Sequence, residues 1–142
     1  MYYLDSAYLA KRYLNDSDSE PVRDFVRTPA PLYSSVLCIA EVVCAMQRRY
    51  REGAISRRQV DELSSVFRKQ VEDRVWTLIP VSESLLWEVH DAVRRLARSV
   101  FLRSADAIHL ASARRAGFSE IWTNDRHMLE AARHFGLRGR SV

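Results

Sequence analysis

Four carboxylates stand in apolar segments that have no structural use for a charge: Asp5, Glu41, Asp106 and Asp125. Asp5 ends the run Tyr2-Tyr3-Leu4. Glu41 separates Val36-Leu37-Cys38-Ile39-Ala40 from Val42-Val43. Asp106 opens Ala107-Ile108-His109-Leu110-Ala111, and Asp125 closes Ile121-Trp122-Thr123-Asn124. An ionised carboxylate in apolar surroundings is costly unless it is paired or binds a metal. Whatever fold this chain adopts must therefore bring something cationic to four separate acids.

The segments around them alternate in character. Tyr2 to Leu4 reads as a short strand and Ser6 to Leu14 as a helix. Ser17 with Glu20 is a capping-box pattern for a second short helix, ending near Val26. Thr28-Pro29-Ala30-Pro31 breaks the chain. A brief strand from Leu32 to Ser34 follows, and Ser35 is placed to cap a long helix reaching about Glu52, stopped by Gly53. Ser56 with Gln59 caps the next helix, whose stripe of Val60, Leu63, Phe67 and Val71 has helical spacing. Val75 to Ile79 is a β-branched and aromatic strand ended by Pro80. A helix with Leu86, Val89, Val93, Leu96 and Val100 on one face comes next, then a small-residue helix from Ala105 to Ala116. Ile121 to Thr123 is a strand, Asp125 to Phe135 a helix, and Leu137 to Val142 either adds an edge strand or frays.

Such alternation predicts one α/β domain over residues 1–142, a three-layer α/β/α sandwich with a short, mostly parallel central sheet. Ligands of such sheets bind beyond the carboxyl ends of the strands. Asp5 and Asp125 both fall there. Glu41, about two turns into a helix that starts at that edge, and Asp106, in the first turn of another, are placed to join them. Each acid also has a simpler use. Asp5 and Asp125 suit helix N-caps, Asp106 can pair with Arg103, and Glu41 can sit in a buried ion pair. His109 reads as a hydrogen-bonded core residue or as a ligand or proton carrier. Trp76, Trp87 and Trp122 read as core or interface residues.

Composition narrows the chemistry. The formal charge is +4, and all but two of the 22 basic residues are Arg, whose planar fork suits phosphate oxygens. Cys38 and Cys44 are the only cysteines; six residues apart on one helix, they cannot bridge, and no zinc-like spacing exists. There is no Gly-rich phosphate loop and no G-x-S-x-G elbow. Ala7 stands where a phosphotransferase aspartate motif needs its second acid. No apolar run approaches the about 20 residues of a membrane span, and with no secretory pattern the expected location is cytoplasmic. Carboxylates without cysteine suit Mg²⁺ or Mn²⁺. Like charges held close are expected to raise one another's pKa and to leave the site weakly formed until metal arrives.

With those residues on the page, the order Leu4-Asp5-Ser6, Ala40-Glu41-Val42, Ala105-Asp106-Ala107-Ile108-His109-Leu110-Ala111 and Thr123-Asn124-Asp125 resembles the PIN-domain ribonucleases. Within them it resembles the VapC toxins of type II toxin–antitoxin systems. The resemblance covers essentially the whole chain. It implies a Mg²⁺- or Mn²⁺-dependent endoribonuclease that cuts cellular RNA, with Asp5, Glu41, Asp106 and Asp125 as the catalytic and metal-binding quartet and Ser6 and Thr123 in support. It also implies a homodimer and a small VapB-like antitoxin, through which alone DNA would be contacted. Arg103 is placed to touch the scissile phosphate, and Arg48, Arg49 and Arg51 to meet the RNA backbone further along. The alternative is a PIN-like module that binds RNA or protein without cutting.

Overall fold

The computed structural model describes residues 1–27 and 29–142. Among the described residues five short strands lie parallel. β1 (Tyr2–Tyr3) pairs with β2 (Leu32–Ser35), which pairs with β3 (Trp76–Ile79). β4 (Glu120–Trp122) pairs with β5 (Arg138–Arg140). A bridge between Leu4 and Trp122, with Asp5 N–H donating to the Trp122 carbonyl at 3.1 Å, joins the two groups. The strands therefore run side by side as β3-β2-β1-β4-β5.

Neighbouring residues on a strand point to opposite faces, and this chain uses both. Tyr3 and Ile121 pack into one core with Leu85, Leu110 and Met128; Leu4 and Trp122 contribute to the other, with Tyr8, Val42 and Phe67. The first core is covered by α5 (Glu83–Val93), α6 (Ser104–Arg115) and α7 (Arg126–Ala131). The second is covered by α1 (Ser6–Ala10), α2 (Ser19–Val26), α3 (Cys38–Arg51) and α4 (Arg57–Glu72). This is the three-layer sandwich the alternation predicts. No helix among the described residues is long and apolar enough to cross a membrane.

Several boundaries move, each for a local reason. α1 stops at Ala10 rather than Leu14, because Arg23 donates to the Lys11 and Leu14 carbonyls at 3.0 and 2.9 Å and turns the chain there. The Ser17–Glu20 capping box does not form. α2 starts at Ser19 behind Asp18, whose carboxylate is drawn away by Lys11 and by Asn124 Nδ2. Thr28 of the expected chain break lies outside the described residues. Ser35 Oγ accepts from Leu37 N–H at 3.2 Å, so it closes the turn ahead of α3 rather than capping it. Glu41 consequently sits in the first turn of α3, not two turns in, where the positive end of the helix favours an anion. The Ser56–Gln59 box forms as expected, and Gly53 takes the positive φ of 73° that ends α3. α5 ends at Val93, short of Leu96 and Val100. The last helix is α7 plus a 3₁₀ turn (Ala132–Phe135), and the C-terminal segment does add a strand.

Candidate active site

Two acids are deeply buried and two sit at the mouth. Asp5 and Asp106 are 3% and 8% exposed, whereas the Glu41 and Asp125 side chains keep 32% and 24% of their surface. Asp5 leaves β1 at its carboxyl end and caps α1, accepting from Tyr8 N–H at 2.7 Å. Its other oxygen accepts the Thr123 hydroxyl at 2.5 Å. Thr123, fully buried at the end of β4, also takes the Asp125 N–H at 2.9 Å. One hydroxyl thus ties the two strand-end acids together. Asp125 in turn caps α7, accepting from His127 and Met128 N–H groups at 2.8 and 3.1 Å.

The other half is built around α3 and α6. Ser6 donates to Glu41 Oε2 at 2.5 Å, and His109 Nε2 lies 2.9 Å from the same oxygen and 2.9 Å from Ser6 Oγ. Tyr3 places its hydroxyl 3.2 Å from His109 Nδ1. With its Nε2–H facing Glu41, the ring bridges that carboxylate and the Tyr3 hydroxyl. Arg103 links the remaining acids: its Nε donates to Asp106 Oδ2 and its Nη2 to Asp125 Oδ2, both at 2.8 Å.

Burial sets the acidity of this site more than carboxylate repulsion does. Desolvation pushes Asp5 above the ordinary carboxylate range, against the hydrogen bonds from Thr123 and Tyr8 and the nearby charges of His109 and Lys11. Burial acts the same way on Glu41. There the hydrogen bonds from His109 and Ser6, with the charges of His109 and Arg103, outweigh it and hold the carboxyl below its usual value. The expectation that the acids raise one another is therefore replaced by a desolvated Asp5 and a well-supported Glu41.

The structure brings all four acids to one edge: Thr123 joins Asp5 to Asp125, Arg103 joins Asp106 to Asp125, and Ser6, next to Asp5 in the chain, bonds Glu41. Among the described residues, however, no group of three His, Cys, Asp or Glu side chains forms a ready-made metal cage. The donor set is nevertheless right in kind for a hard divalent ion, being entirely carboxylate oxygen. Asp5 is a buried carboxylate with neutral hydrogen-bond donors and no salt bridge among the described residues. At Asp106 and Asp125 a cation already stands in, the Arg103 guanidinium.

The other arginines divide. Arg48 and Arg51 are exposed and line a recess of about 360 Å³ with Glu41, Cys44 and Ala45. Arg49 is spent on ion pairs with Asp16 and Glu52. Sequence reasoning missed Lys11, which lines a neighbouring recess of about 200 Å³ with Ser6, Glu41 and Arg48 and pairs with Asp18. Its one signal was rarity, as one of two lysines in an Arg-rich chain. Tyr3 gave no signal, because a strand tyrosine reads as core.

Thr123→Val tests the shared hydroxyl. The variant leaves a buried Asp5 oxygen and the Asp125 N–H without a partner, so we expect a loss of about 1–3 kcal/mol in denaturant unfolding. Unchanged stability would show that the hydroxyl is dispensable.

Comparison with known proteins agrees with this layout. A model of the PIN domain family matches residues 2–134. Ribonuclease VapC46 of Mycobacterium tuberculosis (strain ATCC 25618 / H37Rv) is 30% identical over 139 residues, covering 95% of this chain and 92% of that protein. Mycobacterium tuberculosis VapC20, described as a sarcin-ricin loop cleaving toxin, superposes with a TM-score of 0.71 at 16% identity, over 92% of this chain and 95% of that one. The structure of FitAB bound to an IR36 DNA fragment gives a TM-score of 0.71 at 13% identity, over 99% of this chain and 94% of that one. These two solved structures share the fold.

Proposed function

The chain belongs to the PIN domain family, and we propose that it is a Mg²⁺- or Mn²⁺-dependent endoribonuclease acting as the toxin of a toxin–antitoxin pair. The observation that carries this reading is the convergence of Asp5, Glu41, Asp106 and Asp125 at the carboxyl edge of the sheet, each fixed by a different neighbour. A non-catalytic binder of RNA gains nothing from four acids facing phosphates. The similarity to a VapC ribonuclease over most of the chain supports the same conclusion.

Asp5, Glu41 and Asp106 would hold the ion, with Asp125 at its outer side. Bound there, a divalent ion supplies charge neutralisation and polarises the phosphodiester for hydrolysis. The chain's own residues do the rest. Thr123 and Tyr8 N–H fix Asp5, while Ser6 and His109 keep Glu41 ionised and oriented. Such support of ligands is worth about 10–100-fold in affinity or activity. Arg48 and Arg51, lining the recess beside Glu41, would meet the RNA backbone.

Two apolar surfaces support the expected partners. Leu86, Trp87 and Val93 of α5 are exposed at 44%, 59% and 40%, which supports a homodimer. A groove of about 420 Å³ between α3 and α4, lined by Ile39, Val43, Phe67 and Val71 among others, supports docking of an antitoxin segment.

Induced expression of wild type beside Asp5→Ala tests the function. Growth arrest with wild type alone, and RNA fragments ending at defined sites, is the expected outcome. Equal arrest by both proteins, or cleavage of DNA in place of RNA, would reject the reading.

A further inference from the structure

We propose that Arg103 is a place-holding cation: its guanidinium occupies the ground between Asp106 and Asp125 and leaves those carboxylates when a divalent ion binds. The proposal rests on the metal-nuclease reading of the same site and adds how the site exists without metal.

Arg103 bonds two carboxylates from different elements. Asp106 is in the first turn of α6, three residues on, and Asp125 is the cap of α7. The two bonds, both 2.8 Å, use different nitrogens, so one planar fork spans both acids. Burial is uneven across the pair. The Arg103 side chain is 61% exposed, while those of Asp106 and Asp125 are 11% and 24% exposed. The acids are fixed within the edge of the fold, and the cation reaches them from solvent.

The two acids also differ in how they are held. Asp125 keeps backbone N–H donors from His127 and Met128 on its other oxygen. It stays oriented when the guanidinium leaves. Asp106 is on a regular helix whose N-cap is Arg103 itself, with extended backbone (φ −86°, ψ 158°) and no side-chain cap bond. Rotation of the Arg103 side chain therefore costs α6 no capping interaction.

Charge makes the exchange favourable. A monovalent guanidinium spreads its charge over a plane, whereas a divalent ion concentrates twice that charge among the same oxygens. Without Arg103 the metal-free protein would hold Asp106 and Asp125 without their cation. With it, the acids keep their places, and an incoming ion trades with a side chain that returns to water. The released guanidinium then stands at the mouth of the site, where a phosphate would lie.

The test is isothermal titration of Mn²⁺ into wild type, Arg103→Gln, Arg103→Lys and Arg48→Gln, all metal-stripped. Two ion pairs whose Arg103 end lies in solvent are lost in Arg103→Gln, so Mn²⁺ is expected to bind about tenfold more tightly. Arg103→Lys, which keeps the charge and loses the fork, is expected to fall between. Arg48→Gln, which removes an equal charge in the neighbouring recess, is expected to change affinity less than Arg103→Gln does. A second readout needs no variant. In ¹⁵N-labelled wild type, the Arg103 Nε–H resonance should shift as Mg²⁺ is added, while Arg49 stays put.

Equal or weaker Mn²⁺ binding by Arg103→Gln, with wild type binding normally, would overturn the place-holder alone. An equal gain in Arg48→Gln would reduce the effect to general charge and also overturn it, as would an Arg103 resonance indifferent to saturating Mg²⁺. Absence of any Mn²⁺ binding by wild type would remove both this proposal and the metal reading beneath it.

Discussion

Asp5→Asn is expected to lower RNA cleavage by at least about a hundredfold, the upper range for residues that only orient a metal ligand, while leaving the metal-free fold standing. The asparagine carbonyl replaces the oxygen that accepts Tyr8 N–H, so α1 keeps its cap. The new amide group faces Thr123 Oγ1, whose proton can turn to the Met128 sulfur 3.9 Å away. What disappears is a buried negative charge. Because burial raises the Asp5 pKa, its contribution to stability is fully present below its ordinary 3.8 and is lost as pH rises through the raised value. Once the pH exceeds that raised value, ionised Asp5 destabilises the metal-free protein, and Asp5→Asn should melt at or above wild type in EDTA. The advantage of the variant should shrink as the pH is lowered toward the ordinary carboxylate range. Glu41 has the opposite sign. Its lowered pKa stabilises above its ordinary 4.5, and that contribution is lost as pH falls through the lowered value. Thermal melts of both proteins across this window check the signs, and a variant that melts clearly below wild type once the pH exceeds the raised Asp5 value would contradict them.

His109→Ala is expected to damage both fold and activity. The ring is 2% exposed and touches Tyr3, Ser6 and Glu41 from one position. Removing it opens a cavity and strips the Tyr3 hydroxyl and Glu41 of a partner, together about 2–4 kcal/mol. The carboxyl of Glu41, no longer offset against its burial by His109, moves back upward and becomes a poorer anion. Cleavage should fall by about 10–100-fold. His109→Gln, which restores an amide donor, should recover part of the activity. Urea unfolding beside single-turnover cleavage measures the two effects, and full activity in His109→Ala would refute the role given to this network.

These two residues also show what the amino-acid order made legible. Asp5 was readable because a strand-to-helix junction in a parallel sheet fixes where its side chain emerges, and the same logic placed Asp125. Glu41 is legible from its apolar helical neighbours, but it lies in the first turn and at the mouth rather than two turns in, because α3 begins only at Cys38. His109 of α6, which in the sequence reads as a core residue or a ligand, is buried and meets the Tyr3 hydroxyl from β1, 106 residues away in sequence, a contact that spacing does not reveal. Arg103 shows the same boundary. Its pairing with Asp106 is a local helical relation visible in spacing, whereas its bond to Asp125 depends on how α6 meets the end of β4. The lost Ser17–Glu20 cap follows the same rule, since Asp18 is claimed by Lys11 and Asn124 from other segments. Local patterns fixed which elements form; long-range partners fixed where several of them start and stop.

The account stands on four acids from separate elements serving divalent metal in a nuclease site. The most direct measurement is cleavage of single-stranded RNA by purified wild-type protein in EDTA, after return of Mg²⁺ or Mn²⁺, and with Asp5→Asn run alongside. Silence in EDTA, recovery with either ion in wild type, and no recovery in Asp5→Asn is the predicted result. Undiminished cleavage in chelator, or equal cleavage by the Asn protein, would contradict it.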